Sequence, residues 1–445
     1  IAQVPDHPKL VVLYVLDALR ADYVGHLGST LEATPCIDRL AAEGVSFTNH
    51  FSVAPNTGPA TKSLFTGYGF LEGRRLAPEG PATLAEIFAG ADFVTASISS
   101  NFHVSPGLGI TRGFGHIELV PLDHEQRDGV ETTINDSASR IHAAALRWLE
   151  QQPGDQPLFL YLHSLNPHNP YTPPTPFPSR FVGDDASVVD GRTEVLTAIR
   201  SLELEVTPED EERIRKWYTA GLAYNDAELC GFVDELRRRY PGEVMLVVTS
   251  DHGEELFDHG GVLHGHTLYD EMLHVPLVVW WQGQVSHRVI DVPTDTLDLH
   301  ATLRALVAPL PQELEDGDSL WGAIVGSSDR TRGPSLQFAT APGLRKAAMA
   351  RSDRWKLVRA PRPRFRWGMG RGRGRSHEAE YLFDLESDPG EQTNLAGLSS
   401  LEADWLWSRL QAWQESWQAR QPQETDDTEL DEATRRELEA LGYVE

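Results

Sequence analysis

Four residues from three separate parts of the chain have side chains of the types that bind metal ions or attack esters. Asp17 ends the apolar run "KLVVLYVLD", and Asp251 and His252 close the run "VMLVVTSDH". Two carboxylates and one imidazole suit zinc, manganese, calcium or magnesium. Thr57, in "NTGPATKS", carries a hydroxyl that becomes nucleophilic when a divalent ion lowers its pKa. Together these residues predict metal-assisted hydrolysis of a phosphate, phosphonate or sulfate ester.

The residues around Thr57 indicate a helix N-terminus. Gly58 and Pro59 predict a turn, and "ATKSLFTG" predicts a helix behind it, so that backbone N–H groups would face an anionic oxygen. The alternative is that Thr57 is an ordinary N-cap residue, a role that threonine often fills. Asp17 and Asp251 have the same alternative, because aspartate also caps helices.

The elements that must bring these residues together are short apolar runs. Five of them predict buried parallel strands: "KLVVLYVLD", "DFVTASISS", "PLFLYLHS", "VMLVVTSD" and "VPLVVWW". Amphipathic helical stretches lie between them, so we predict a mostly parallel sheet with helices on both faces. Ligands bind beyond the carboxyl ends of such strands. Asn101 follows one strand and is a candidate donor to a substrate oxyanion, whereas His163 is either a core histidine or a functional one.

The predicted secondary structure changes after about residue 310. "GLRKAAMARSDRWKLVRA" and "AEYLFDLESDPGEQTNL" predict short antiparallel strands. Seven arginines between Arg359 and Arg375 predict either a surface loop or a flap that attracts an anionic substrate. We therefore predict a catalytic domain over residues 1–330, an antiparallel subdomain over 331–400 and a helical tail over 401–445.

The composition limits the classes of partner and compartment. The 445 residues include 66 acidic and 39 basic side chains, a formal charge of −27 that argues against nucleic acid as a partner. No apolar stretch is long enough to span a bilayer, and the start "IAQVPDHPKL" lacks a signal peptide's basic and apolar regions. We expect a soluble chain, cytoplasmic or of undetermined compartment because its numbering begins at Ile1, that is able to form a homo-oligomer. Cys36 and Cys230 are expected to be structural.

The order of motifs resembles the sulfatase branch of the alkaline phosphatase superfamily along nearly the whole chain. "VLYVLDALRADYVGHLG" and "TPCIDRLAAEGVSFTNHFS" resemble its opening strand and first helix, and "ATKSLFTG" and "TRGFGHIE" are similar to its nucleophile motif and "RGFD" element. "FLYLHSLNPHNPYTPP", "VVTSDHGEELFDHG", "HGHTLYDEMLHVPLVVW" and "YLFDLESDPGEQTNL" follow in order. The resemblance implies an alkaline phosphatase-like three-layer α/β/α sandwich with a small C-terminal antiparallel subdomain.

The nucleophile motif departs from the sulfatase pattern. Sulfatases have "C-x-P-S-R", whose Cys or Ser is oxidised to formylglycine, whereas residues 57–61 here read "TGPAT". Threonine cannot become formylglycine. The arginine position is Thr61, so Lys62 either replaces that charge or is a solvated helix lysine. Asp17 and the pair Asp251-His252 look more like the ligands of the superfamily's phosphodiesterases and phosphotransferases, which pass through a phospho-threonine intermediate.

The resemblance also implies roles for three histidines. His168 stands where the family's histidine contacts the substrate oxyanion or leaving oxygen, and His264 and His266 follow later in the chain. The superfamily's two-metal members need a further Asp and two His, and no Asp stands four residues before a mid-chain His here in the way that group has it. We predict one divalent ion, zinc, manganese or calcium, held by Asp17, Thr57, Asp251 and His252. His168 or His264 is the expected general acid, and Asn101 and His266 are expected to contact substrate.

We therefore predict a metal-dependent hydrolase of small anionic esters in which Thr57 attacks a phosphodiester or a phosphonate monoester. One alternative is a sulfate or sulfonate ester hydrolase that works without formylglycine. Another is a catalytically silent member that binds an anionic ligand or partner. A phosphotransferase that acts on a cell-envelope acceptor would need a membrane anchor upstream of this sequence.

Overall fold

The computed structural model describes residues 7–69, 76, 78–127, 130–152, 154–183, 187–308, 317–327, 336–341, 347–361 and 378–418. The strands are β1 (Leu10–Leu16), β2 (Val45–Phe51), β3 (Val94–Ser99), β4 (His116–Leu119), β5 (Asp123–Arg127), β6 (Val130–Ile134), β7 (Leu158–Ser164), β8 (Val244–Ser250), β9 (Glu255–Leu256), β10 (Val262–Leu263), β11 (His274–Trp281), β12 (Arg288–Ile290), β13 (Thr294–Asp295), β14 (Gln337–Ala341), β15 (Ala347–Arg351), β16 (Trp355–Pro361) and β17 (Glu378–Asp384). The helices are α1 (Pro35–Glu43), α2 (Thr57–Thr66), α3 (Leu84–Gly90), α4 (Ser137–Glu150), α5 (Phe177–Phe181), α6 (Thr193–Arg200), α7 (Pro208–Arg239), α8 (Asp270–Leu273), α9 (Thr296–Arg304), α10 (Trp321–Val325) and α11 (Ser400–Gln418).

The central sheet has the strand order β12-β2-β11-β8-β1-β7-β3-β4, with β13 also paired to β2. The strands from β8 to β4 in this order are all parallel. Strand β1 is buried along its whole length and alternates between two apolar layers. Val12, Tyr14 and Leu16 lie in the layer that contains α1, α4 and α7, whereas Val11 and Leu13 lie with α2, α3 and α9. The predicted three-layer α/β/α sandwich is therefore confirmed.

The direction of β11 differs from the prediction. The run "VPLVVWW" was expected to form a parallel strand, but β11 is antiparallel to both β8 and β2. Between β8 and β11 the chain forms only the short β9/β10 hairpin and the four-residue helix α8. A parallel strand would need a longer crossover connection that carries the chain back to the edge of the sheet where β8 begins, so β11 runs in the opposite direction. Strand β2, "VSFTNHF", was not predicted as a strand, since its polar residues interrupt the apolar pattern.

The longest helix, α7, begins six residues before the predicted stretch, at Pro208. Thr207 accepts a hydrogen bond from the Asp210 backbone, and the Asp210 side chain accepts one from the Thr207 backbone. This capping box satisfies two N–H groups that a helix end otherwise leaves without partners, a contribution of about 1 kcal/mol. The polar start of α7 is thus stabilised by its cap rather than by an apolar face.

The C-terminal part contains a second, smaller sheet of antiparallel strands in the order β14-β15-β16-β17. Helix α11 packs against it through Leu406 and Leu410. The antiparallel strands predicted here are therefore present, whereas the boundaries at residues 330 and 400 stay a prediction. Residues 362–375, which are most of the arginine-rich segment, and the end of the predicted tail (419–445) lie outside the described residues. None of the described helices is both long and apolar enough to cross a membrane.

Candidate active site

The carboxyl ends of β1 and β8 bring Asp17, Asp251 and His252 into one buried cluster. One ligand atom from each residue lies within 4.8 Å of the others. His252 Nε2 lies 3.5 Å from Asp17 Oδ1 and 3.6 Å from Asp251 Oδ2. These two carboxylate oxygens are buried without a hydrogen-bond partner from the protein. Two buried acceptors that face one another without a partner are costly unless a cation lies between them, so this cluster fits a divalent metal ion.

The hydrogen bonds around this cluster orient each ligand. His252 Nδ1 lies 2.7 Å from the Gly253 carbonyl oxygen, which can only accept, so Nδ1 carries the hydrogen. In the neutral imidazole, Nε2 therefore keeps its lone pair and can bind a metal. Asp251 Oδ1 accepts from the backbone N–H of His252 at 3.0 Å and of Ala18 at 3.3 Å. The other oxygen, Asp251 Oδ2, is thus the one left for a cation.

Thr57 is the first residue of α2, and Asn56 is its N-cap residue. The alternative that Thr57 is an N-cap residue is therefore wrong, and Gly58 and Pro59 lie inside the first helical turn rather than in a turn before it. The Thr57 side chain is buried, and its Oγ1 lies 3.2 Å from His252 Nε2. The predicted nucleophile thus lies beside the predicted ligands at a helix N-terminus.

Neither aspartate of the cluster caps a helix. The first helical turn after Asp17 begins at Ala21 with Arg20 as its N-cap, and the first helix after Asp251 is α8. The side chain of Asp17 is instead held inside the site, since its Oδ2 accepts from Asn101 Nδ2 and from His163 Nε2, the latter at 3.2 Å. The N-cap alternative for these two residues is therefore wrong.

Asn101 and His163 line the cluster on the side of β3 and β7. Asn101 Oδ1 accepts from the His103 N–H at 2.7 Å, which turns Nδ2 toward Asp17 and to within 3.4 Å of Thr57 Oγ1. Burial disfavours the charged form of His163, but the hydrogen bond to Asp17 and the nearby carboxylates raise its pKa. His163 is thus part of the site, while contact of Asn101 with substrate stays a prediction.

Two further histidines lie above the cluster. The His264 ring centroid is 4.4 Å from that of His252 and 4.7 Å from that of His168. His168 Nδ1 lies 2.6 Å from the Asn169 carbonyl oxygen, and His264 Nδ1 lies 2.9 Å from Glu254 Oε1. Burial lowers the pKa of both histidines. An anionic ester bound between them would favour their protonated forms, as general acid catalysis requires.

Lys62 and His266 were also predicted to act on substrate. Only 3% of Lys62 is exposed, so the alternative of a solvated helix lysine is wrong. Thr61, at the motif's arginine position, donates its hydroxyl back to the Thr57 carbonyl oxygen at 2.6 Å. His266 Nε2 lies 2.6 Å from Glu255 Oε2, inside the β9/β10 region. The roles of Lys62 and His266 toward substrate stay predictions.

Sequence reasoning missed Glu254 and Tyr161. Glu254 is fully buried behind His264, and the Tyr161 hydroxyl lies 2.7 Å from His163 Nδ1. The acidic pair Glu254-Glu255, which follows His252 and Gly253, was a usable signal, because two adjacent carboxyl groups need partners when they are buried. The spacing of two between Tyr161 and His163 on one strand was another, since alternate residues share a face.

Comparison with known proteins gives consistent results. The model of the family described as Sulfatase matches residues 9–308. The Delta 4,5-hexuronate-2-O-sulfatase of Bacteroides thetaiotaomicron is 24% identical over 439 residues, which cover 89% of this chain and 86% of that protein. The structure of a phosphonate monoester hydrolase from Agrobacterium radiobacter has a TM-score of 0.72 at 20% identity and covers 92% of this chain and 96% of its own. A protein solved with its substrate D-glucosamine-2-N,6-O-disulfate has a TM-score of 0.74 at 17% identity, with 96% and 99% covered.

Proposed function

This chain belongs to the sulfatase family and is a hydrolase of phosphoric or sulfuric esters, and from that premise we propose that Thr57 attacks a phosphodiester or a phosphonate monoester. The observation that carries the proposal is the position of Thr57 Oγ1, 3.2 Å from His252 Nε2 and buried beside two unpartnered carboxylate oxygens. A threonine there has no chemistry available other than that of its hydroxyl, because it cannot form an aldehyde.

Enzymes of this family depend on a metal ion, and the residues suited to hold one here are Asp17, Asp251 and His252. A divalent ion bound by them would lower the pKa of an adjacent hydroxyl, which makes threonine a usable nucleophile at neutral pH. The N-terminus of α2 adds backbone N–H groups that favour negative charge at Thr57. Lys62 is the proposed side-chain cation for the substrate.

The proposed reaction consists of two displacements. In the first, the Thr57 alkoxide forms a bond to phosphorus, the bond from phosphorus to the leaving oxygen breaks, and a protonated His168 or His264 gives its proton to that oxygen. In the second, water attacks phosphorus, the bond to Thr57 Oγ1 breaks, and the same histidine takes a proton from the water. The sum is one ester and one water converted to an alcohol and an acid.

Phosphorus is preferred over sulfur because of the second displacement. A formylglycine hydrate can release sulfate by collapsing to the aldehyde, whereas threonine carries no second oxygen on the attacking carbon and must be freed by attack of water on the central atom. The second candidate, a sulfate ester hydrolase, is favoured by a different observation, namely that the curated relative named above is a sulfatase. An assay must therefore include both ester classes.

The test is a panel of aryl phosphodiester, phosphonate monoester, phosphomonoester and sulfate ester, with zinc, manganese or calcium, for the wild type and Thr57→Ala. We expect turnover of the diester or phosphonate, and a loss of roughly 10³-fold or more in Thr57→Ala. Thr66→Ala is the matched control, because Thr66 lies at the other end of α2 and its hydroxyl bonds to the Lys62 carbonyl oxygen. Turnover of the sulfate ester alone would establish the second candidate. No turnover in a metal-loaded wild type would leave anion binding as the function.

A further inference from the structure

Two adjacent glutamates after the metal-binding histidine each hold one later histidine. Glu254 and Glu255 are fully buried. Glu254 Oε1 lies 2.9 Å from His264 Nδ1, and Glu255 Oε2 lies 2.6 Å from His266 Nε2. The register of the β9/β10 hairpin, in which Leu263 pairs with Glu255, brings the two segments together. The hairpin therefore fixes which carboxylate meets which ring.

The two members of the first pair differ in access to solvent. The His264 side chain is 13% exposed, whereas the Glu254 side chain is 0% exposed. A substrate can therefore reach His264 but not Glu254. Because Nδ1 of His264 is engaged by the carboxylate, Nε2 is the ring nitrogen left for a substrate oxygen.

His264 and His168 are held in different ways. His168 Nδ1 meets a backbone carbonyl oxygen, that of Asn169, on the loop after β7. His264 Nδ1 meets a side-chain carboxyl group, the arrangement that fixes both the orientation and the hydrogen position of an imidazole in proton transfer. The structure thus distinguishes two histidines that the sequence left equivalent.

We propose that Glu254 is a positioning residue that holds His264 with Nε2 toward the leaving-group oxygen, so that His264 rather than His168 protonates that oxygen. This inference rests on the proposed function, and it specifies the step that the function left open. As the bond between phosphorus and the leaving oxygen breaks, its electron pair goes to that oxygen, and the proton on His264 Nε2 moves to the same atom. His168 is left to contact a non-bridging oxygen.

A leaving-group series tests this assignment. A 4-nitrophenyl ester releases a stable anion that needs no proton, whereas an alkyl ester releases an alkoxide that does. Because kcat/KM reports the displacement that releases the alcohol, we expect Glu254→Gln to change kcat/KM for the 4-nitrophenyl ester by less than about threefold. It should lower kcat/KM for the alkyl ester about 100-fold, the lower end of what general acid catalysis contributes. His264→Ala should show the same dependence, and the double variant should lose no more than His264→Ala alone.

The controls separate this role from a structural one. Glu255→Gln removes the neighbouring buried carboxylate and should leave the dependence on the leaving group as in the wild type. Glu254→Asp keeps the carboxyl group but withdraws it from Nδ1, so it should repeat the selective loss if Glu254→Gln does not fold. An equal loss of kcat/KM for all esters at normal metal content would overturn the proposal, and so would a steep dependence of kcat/KM on the leaving group in His168→Ala that is absent from His264→Ala. Absence of Thr57-dependent turnover in the wild type would instead refute the proposed function.

Discussion

His163 Nε2 lies 3.2 Å from Asp17 Oδ2, while the opposite oxygen, Asp17 Oδ1, has no hydrogen-bond partner from the protein. The Tyr161 hydroxyl, 2.7 Å from His163 Nδ1, fixes the ring from its other side. One carboxylate oxygen is thus held in place by a chain of buried groups, and the other is directed toward Asp251 and His252. Such partners orient a ligand before the metal binds.

The first prediction concerns this chain of groups. His163→Phe should weaken the affinity for a divalent ion by at least about tenfold, because partners of this kind are worth 10- to 100-fold in metal affinity. Tyr161→Phe should have a smaller effect in the same direction, since it removes only the outer hydrogen bond. Calorimetric titration of the metal-free protein with zinc, manganese and calcium measures both. His142→Gln, which changes a buried histidine on α4, is the control. An unchanged affinity in His163→Phe would show that the hydrogen bond between His163 and Asp17 does not support metal binding.

The second prediction concerns removal of the metal. Asp17 and Asp251 are buried carboxylates that face each other, so a bound divalent ion should stabilise the folded state. At a free metal concentration of 100 times Kd, the free energy of unfolding should rise by about 2.7 kcal/mol. Denaturant unfolding with and without a chelator measures the difference. Asp251→Asn should abolish the response to metal and be at least as stable as the metal-free wild type, because it removes a like charge. A wild type that is insensitive to chelation would contradict the ligand set.

The third prediction concerns Lys62. Lys62 is buried and lies on α2, five residues after Thr57, which makes it the candidate substitute for the arginine that the motif would have at position 61. Lys62→Met keeps most of the side-chain volume and should raise KM for an anionic ester about tenfold, the effect of losing a charge-assisted hydrogen bond. Thr61→Ser, which keeps the hydroxyl that bonds to the helix backbone, should leave KM unchanged. An unchanged KM in Lys62→Met would return Lys62 to a structural role.

The sequence was sufficient to predict the layers of the fold and the meeting of Asp17, Thr57, Asp251 and His252. Asp17 follows β1, and Asp251 and His252 follow β8, two strands that are apolar on both faces. That pattern is typical of parallel strands, which deliver their carboxyl ends to one edge of the sheet. The direction of β11 was not predictable in this way, because an apolar run has the same pattern in either direction. The start of α7 was missed for another reason, since a capped polar turn has no apolar periodicity.

The partners of the site could not be read from the sequence. Glu254 meets His264 because β9 and β10 pair in one register, and a shift by one residue would exchange the two glutamates. His163 reaches Asp17 because β7 lies next to β1, with His163 directly opposite Val15. Neighbours of this kind depend on strand order, which a single sequence does not encode locally.

The last prediction concerns stability in acid and depends on His142, far from the metal ligands in sequence. Its ring stacks on Phe232 with 4.6 Å between centroids, its Nε2 lies 3.0 Å from the Tyr14 hydroxyl, and burial lowers its pKa to about 3. The unfolded chain binds this proton near pH 6.5, so between about pH 6.5 and 3 the unfolded state carries one more proton than the folded state. The free energy of unfolding should therefore fall as the pH falls through this window, by about 1.4 kcal/mol per pH unit for this one group.

His142→Gln keeps a donor for Tyr14 but cannot take up the proton, so it should reduce that slope by this amount in urea unfolding measured from pH 4 to 7. His50, buried beside Thr294 with its pKa also lowered by burial to about 3, offers the matched variant His50→Gln with the same expected change. Slopes that are equal in the wild type and in both variants would mean that the folded protein takes up these protons, and that neither ring is held neutral by its burial.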